Sequence, residues 1–179
     1  MSGHSNDGPK TWSTKLKRIS ELSAENKGLV FNNLGHIINA EMLRDLYDRL
    51  DGKKAIGIDG VTKETYGRNL EANLSDLMRR IRRGTYRPQP ARIVEIPKDD
   101  GSTRPLAIAC VEDKLVQLAA SEILQAIYEP LFLPCSYGFR PNLGCHDALK
   151  ELSRVTFQVR DGAIVEIDLR KYFNSIPHG

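Results

Sequence analysis

Asp168 closes an apolar run, Ala163-Ile-Val-Glu-Ile-Asp168, and Phe173 follows five residues later. A carboxylate delivered at the exit of a buried strand suits a hard cation such as Mg²⁺, often with the next backbone carbonyl, here that of Leu169, beside it. One carboxylate seldom holds such a metal alone, so its site is expected to be completed by residues outside this chain. Two plainer readings compete: an Asp that caps the following turn, and the ribose-binding acid of a dinucleotide fold. The second fails, because no Gly-x-Gly-x-x-Gly follows any predicted strand.

Upstream, Lys98 and Arg104 flank Asp-Asp-Gly-Ser-Thr at the tip of a predicted β-hairpin. Two cations on a rigid ribbon can clamp a triphosphate and neutralise oxygens that gain charge during phosphoryl transfer. A charged tip that is merely solvated is the alternative. Between Arg79 and Arg104 stand eight basic residues (Arg79, Arg80, Arg82, Arg83, Arg87, Arg92, Lys98, Arg104) against three acids, within a chain whose net charge is only +3. The guanidinium fork matches phosphate oxygens in pairs, so this block points to nucleic acid or polyphosphate. The rival is a solvated helix face. With no acid interleaved in 79–83, the four arginines there are not expected to pair among themselves. In the loop Ser136-Tyr-Gly-Phe-Arg-Pro141, Tyr137, Phe139 and Arg140 can stack on and pair with a nucleic-acid strand, or the aromatics can fill the core with Arg140 on a carboxylate.

The elements that must position these groups are read from periodicity. Ser13 is expected to cap a first helix carrying Leu16, Ile19 and Leu22, and Asn39 a second carrying Met42, Leu43, Leu46, Tyr47 and Leu50. Thr62 is expected to cap one long helix, with Tyr66, Leu70, Leu74, Leu77, Met78 and Ile81 inward, closed by Gly84. Tyr86-Arg-Pro-Gln-Pro90 forbids a helix, and Ala91–Ile96 and Thr103–Ile108 then alternate as strands about the turn Pro97–Gly101. Helical spacing returns over Glu112–Tyr128 and around Ala148–Leu152, before the final strand. The fold class is α+β, helices first, with strands too few to finish a sheet.

Composition bounds the rest. The chain has 179 residues, 40% hydrophobic and 27% charged, which fits a globular protein. No apolar run approaches a membrane span, so no membrane partner is expected. Cys110, Cys135 and Cys145 form no Cys-x-x-Cys pair, which speaks against zinc and for a reducing, cytoplasmic setting.

Taken in order, Gly57-Ile-Asp-Gly-Val61, Gly84-Thr-Tyr-Arg-Pro-Gln-Pro90, Ile96-Pro-Lys98, Gly101 to Arg104-Pro-Leu106, Val111-Glu-Asp-Lys114, Ser136-Tyr-Gly-Phe-Arg-Pro141, His146-Asp-Ala-Leu149 and Val165-Glu-Ile-Asp168 to Phe173 resemble the N-terminal half of bacterial group II intron-encoded reverse transcriptases (maturases). The resemblance spans about residues 30–178, and its specificity lies in the order of motifs rather than in any one. It implies an incomplete right-hand polymerase fold: N-terminal helices, an antiparallel hairpin in the fingers and the first palm strand. Asp168 matches the first catalytic Asp, sharing its Mg²⁺ with the Leu169 carbonyl. Phe173 matches the aromatic that screens the sugar 2′-OH of the incoming dNTP, and Lys98 and Arg104 match the holders of the triphosphate. Arg79, Arg80, Arg82, Arg83, Arg87, Arg92 and Arg140 are assigned to the RNA template or intron RNA, with a DNA primer as a further partner. The implied chemistry is two-metal RNA-templated DNA synthesis.

Departures accompany the match. The family's Tyr-Ala-Asp-Asp motif is absent, Ala107-Ile-Ala-Cys110 replaces the commoner Gly-Ile-Pro-Thr-like run, and Asn174 stands where Asp is frequent. The expected segmentation is a leader and first helix (1–28), a helical N-terminal extension (29–84), fingers (85–160) and the start of a palm (161–179). A segment so bounded is expected to be inactive by itself, and an exposed apolar edge makes a homodimer a further expectation. Rival readings are a non-catalytic RNA-binding or dimerisation module, and a reverse transcriptase of the retron, diversity-generating or CRISPR-linked class.

Overall fold

Asn39 shows how locally the first helices are specified. Its backbone is extended, and its side-chain oxygen accepts from the amide of Met42 at 2.8 Å, satisfying an N-terminal donor of α2 (Ala40–Arg49). The computed structural model describes residues 11–159, 161–170 and 172–177. They fall into two packing units, one running to Phe132 and one from Leu133.

In the first unit, α1 (Thr11–Glu25), α2, α4 (Leu70–Arg82) and α5 (Val111–Tyr128) share one core. It is built from Trp12, Leu16 and Ile19, from Met42, Leu43 and Leu46, from Leu74, Leu77 and Met78, and from Leu115, Ala119 and Ile123. Polar atoms at its margin are satisfied: Trp12 Nε1 donates to Asp45 Oδ2 at 2.8 Å and Ser23 Oγ to the Ile127 carbonyl at 2.6 Å. Ser13 is not a cap; it lies inside α1, whose buried face includes Trp12 and Ser23 beyond the expected leucine spacing.

The long helix expected from Thr62 onward is two helices. Thr62 caps α3 (Lys63–Gly67), accepting from the Thr65 amide, and the chain restarts at Asn69 as α4. The break has a tertiary cause. Tyr47 reaches across from α2 and donates to the Lys63 carbonyl at 2.8 Å, and its hydroxyl fills the space beside Gly67, where a Cβ would stand 2.1 Å from it. Asn73 Nδ2 then takes up the freed Tyr66 carbonyl at 2.8 Å. At the far end Gly84 adopts φ +66°, and the amides of Gly84 and Thr85 bond to the carbonyls of Ile81 and Arg80 at 3.0 and 2.9 Å, a Schellman stop.

The hairpin forms where alternation placed it. Strands β1 (Arg92–Pro97) and β2 (Thr103–Ile108) pair antiparallel, from Arg92 opposite Ile108 to Pro97 opposite Thr103. Most of the ribbon is exposed; Val94 and Ile96 are half-buried and Ile108 is buried at its foot.

The second unit holds α6 (Cys145–Gln158) and a short α7 (Tyr172–Ser175). Asp147 Oδ2 accepts from the Gly144 amide at 2.9 Å and fixes the start of α6. The strand expected over 163–168 is absent: β1 and β2 make the only sheet among the described residues. Apolar alternation specifies a strand only when a neighbour supplies the ladder, and Ile164, Val165 and Ile167 are 81, 77 and 85% exposed. The overall class remains mixed helix and antiparallel sheet.

Candidate functional site

The hairpin tip is ordered by its own backbone. The Lys98 amide donates to the Ser102 carbonyl at 2.8 Å, the Gly101 amide to the Lys98 carbonyl at 3.0 Å, and Gly101 takes φ +78°, which glycine adopts without a steric cost. Asp100 Oδ1 accepts from the Ser102 hydroxyl and amide at 2.6 and 2.9 Å, and these bonds hold its carboxyl below the usual carboxylate value. That acid therefore serves the turn. Lys98 and Arg104, beside it, make no ion pair among the described residues and border one surface depression of about 470 Å³ with Ile96, Pro97, Asp99 and Asp100. The tip offers two accessible cations on a rigid ribbon, a geometry that can take a polyphosphate.

The arginine block divides. Arg79 and Arg80 are held by Asp76 from the preceding turn, Arg80 through Nε at 2.7 Å, and Arg80 Nη2 also meets Glu112 of α5 at 2.7 Å. The two arginines draw the Asp76 carboxyl below its ordinary value, with Arg79 the larger cause, and the Glu112 hydrogen bond raises the guanidinium of Arg80 further. The expectation of an unpaired cluster is corrected on this point. No acid lies within 79–83, but Asp76 stands three and four residues upstream of Arg79 and Arg80, on the same helix face. Arg82 and Arg83 make no ion pair among the described residues, and with Arg79 they border a depression of about 410 Å³. Arg87 folds onto the carbonyls of Gly84 and Tyr86 at 3.1 and 2.7 Å.

Arg92 Nε donates to the Ile56 carbonyl at 2.9 Å and lines a third depression, about 390 Å³, with Lys53, Lys54, Lys63 and Lys114. These four lysines are absent from the sequence-based site. Only the Lys53-Lys54 pair is adjacent in sequence. Lys63 arrives by donating to the Asp48 and Leu50 carbonyls at 3.1 and 2.6 Å, and Lys114 by donating to the Ala55 carbonyl at 2.8 Å, links that only the folded chain creates.

In the second unit, Asp168 and Leu169 lie in the unpaired, exposed segment. The side chain of Phe173 lies outside the described residues. Arg140 Nη1 donates to the Leu133 and Ser136 carbonyls at 3.1 and 2.8 Å, closing its own loop. Phe139 is fully exposed with φ +57°, so of the two readings of this loop the core-filling one does not hold for it, while Tyr137 is half-buried. Among the described residues no three His, Cys, Asp or Glu side chains group so as to hold a metal ion, and the residues present do not by themselves fit Mg²⁺. No described helix is long and apolar enough to cross a membrane.

Residues 96–179 match the family model for reverse transcriptase (RNA-dependent DNA polymerase). Over 165 residues the chain is 36% identical to the group II intron-encoded protein LtrA of Lactococcus lactis subsp. cremoris, covering 91% of this chain and 27% of that protein. It is 36% identical over 130 residues to protein YkfC of Escherichia coli K12, covering 71% of this chain and 34% of the other. It is also 33% identical over 148 residues to the putative COX1/OXI3 intron 1 protein of Saccharomyces cerevisiae, covering 82% and 18% respectively. The chain thus spans about a quarter to a third of the length of the two bacterial relatives. Reverse transcriptases generally use Mg²⁺ and act on a template, a primer and dNTPs. With motifs, fold class and these likenesses in agreement, the chain belongs to the reverse transcriptases, in kinship with the group II intron-encoded proteins.

Proposed function

We propose that this chain forms the template- and nucleotide-gripping part of an RNA-directed DNA polymerase that acts in group II intron splicing and mobility. Residues 29–84 serve as its N-terminal extension, 85–160 as fingers and 161–179 as the start of its palm. The observation that carries the reading is the hairpin tip, where Lys98 and Arg104 make no ion pair among the described residues and stand on an ordered turn whose acid, Asp100, is bonded to Ser102 of that same turn. There they hold the triphosphate of an incoming dNTP and offset the charge that develops on it. Arg82, Arg83 and the basic depression around Arg92 take phosphates of intron RNA or template, in line with an electrostatic grip on the backbone. Asp168 with the Leu169 carbonyl contributes to the family's Mg²⁺ site and Phe173 screens the sugar. The described residues do not by themselves complete that site.

Self-association through the exposed apolar run at 163–169 belongs to the same reading, as does a cytoplasmic compartment, in keeping with three free cysteines. The test is dTTP binding by the purified chain. Lys98→Ala and Arg104→Ala are each expected to lower affinity about tenfold, on the scale of one charge-assisted contact. Equal binding by both variants and the parent would exclude the tip as the triphosphate site.

A further inference from the structure

Asp113 lies on the first turn of α5, is 3% exposed, and is not among the residues assigned to the site above. Both its carboxylate oxygens are used by a single stretch of chain: the Tyr86 hydroxyl donates to Oδ1, and the Gln89 amide donates to Oδ2 at 3.0 Å. That stretch, Tyr86-Arg-Pro-Gln-Pro90, is the strap between α4 and β1. Neither of its prolines has an amide hydrogen, so between them Gln89 carries the one backbone donor, and Asp113 takes it. The upstream end of the strap is tied as well, since the amides of Thr85 and Tyr86 both bond to the Arg80 carbonyl, while Arg80 itself grips Glu112 next to Asp113.

The other foot of the hairpin reaches the same place covalently, because β2 ends at Ile108 and α5 begins at Val111. Between these feet and the tip the ribbon has little core contact of its own. Six residues at about 3.3 Å each put the tip about 20 Å from the foot. A tilt of about 10° at the foot would then carry Lys98 and Arg104 through about 3–4 Å, beyond the misplacement of about 1 Å that costs about a hundredfold in reacting geometry.

We infer that Asp113 is a positioning residue for nucleotide capture: by bonding Tyr86 and Gln89 it fixes the foot of β1 on α5 and so sets where Lys98 and Arg104 stand. The nucleotide half of this inference rests on the function proposed for the tip; the mechanical half does not.

The test uses the whole chain with Cys135→Ser and Cys145→Ser, and spin labels at Lys17→Cys on α1 and Asp99→Cys at the tip. Label separation is measured well below the unfolding temperature, and dTTP binding is measured on unlabelled chains. The parent is expected to give one narrow distance. Asp113→Asn and the gentler Tyr86→Phe, which removes a single bond, are expected to broaden or shift it by several ångströms and to lower dTTP affinity at least threefold, with helical content intact. Asp113→Glu is expected to recover part of both. Lys98→Ala and Arg104→Ala are expected to lower affinity without moving the distance. An unchanged distance in both Asp113→Asn and Tyr86→Phe overturns the inference, and so does a shifted distance with unaltered dTTP affinity. If instead the parent binds no dTTP, or Lys98→Ala and Arg104→Ala bind it normally, the nucleotide assignment of the tip falls while the distances still decide whether Asp113 anchors the ribbon.

Discussion

Gly57 packs against the backbone of Cys110 so closely that a Cβ would stand 2.7 Å from Cys110 Cα, 2.8 Å from its Sγ and 2.9 Å from its amide nitrogen. The loop 55–60 is thereby seated on the start of α5, beside the residues that hold the hairpin. Two of the three obstructing atoms are backbone and cannot rotate away. Gly57→Ala is expected to destabilise the chain by about 1–3 kcal/mol, the usual cost of overpacking, read from urea denaturation. Gly60→Ala meets no atom within 4 Å but requires φ +68°, and it serves as the comparison in which strain acts without a clash.

The two halves of the arginine block are expected to separate experimentally. Arg82→Gln with Arg83→Gln should weaken RNA binding and flatten the plot of log K against log salt by about 1.5, the value for two phosphate contacts, with little change in melting temperature. Arg80→Gln should instead lower stability by about 1–2 kcal/mol, because it leaves Glu112 without its charged partner. Fluorescence titration at several salt concentrations, together with thermal melts, checks both.

Stability should fall at both extremes of pH. Its arginine partners hold Asp76 below its ordinary 3.8, so its contribution is present above that value and is lost as pH falls through the depressed folded value. Burial first, then hydrogen bonding to acids, pushes the phenols of Tyr66 and Tyr86 well above their ordinary 10.0. Their contribution is therefore full below about pH 10 and declines as pH rises further. Melts of Asp76→Asn should show a flatter acid limb, and melts of Tyr86→Phe a flatter alkaline limb.

The purified 179-residue chain should incorporate no dNTP on a primed RNA template, because its sequence does not contain the Tyr-Ala-Asp-Asp motif whose acids would join Asp168. Primer extension on a sequencing gel is the measurement, and any extension above the no-protein lane would contradict it.

Some of this architecture was legible in the sequence because its causes are local. Asn39 caps α2 within three residues, and the turn at 98–102 is written in its own Asp, Gly and Ser. The break before α4 was not legible, since it depends on a tyrosine from another helix filling the space beside Gly67. The partnership of Arg80 with Glu112 joins residues 32 apart, beyond any helical spacing rule, whereas the contribution of Asp76 follows the ordinary i,i+4 spacing. For the candidate site, the two tip cations could be read from their spacing. The convergence of Lys63, Arg92 and Lys114 beside Lys53 could not, because carbonyls at the end of α2 and in the loop at Ala55 and Ile56 draw them together.

The bare apolar run at Ile164, Val165 and Ile167 has a practical consequence. Amide and carbonyl groups with no ladder of their own accept whichever extended backbone comes near, so concentrated solutions should gel or precipitate as pairing propagates from chain to chain. Dilution, or a lysine set among these three residues, is the physical remedy.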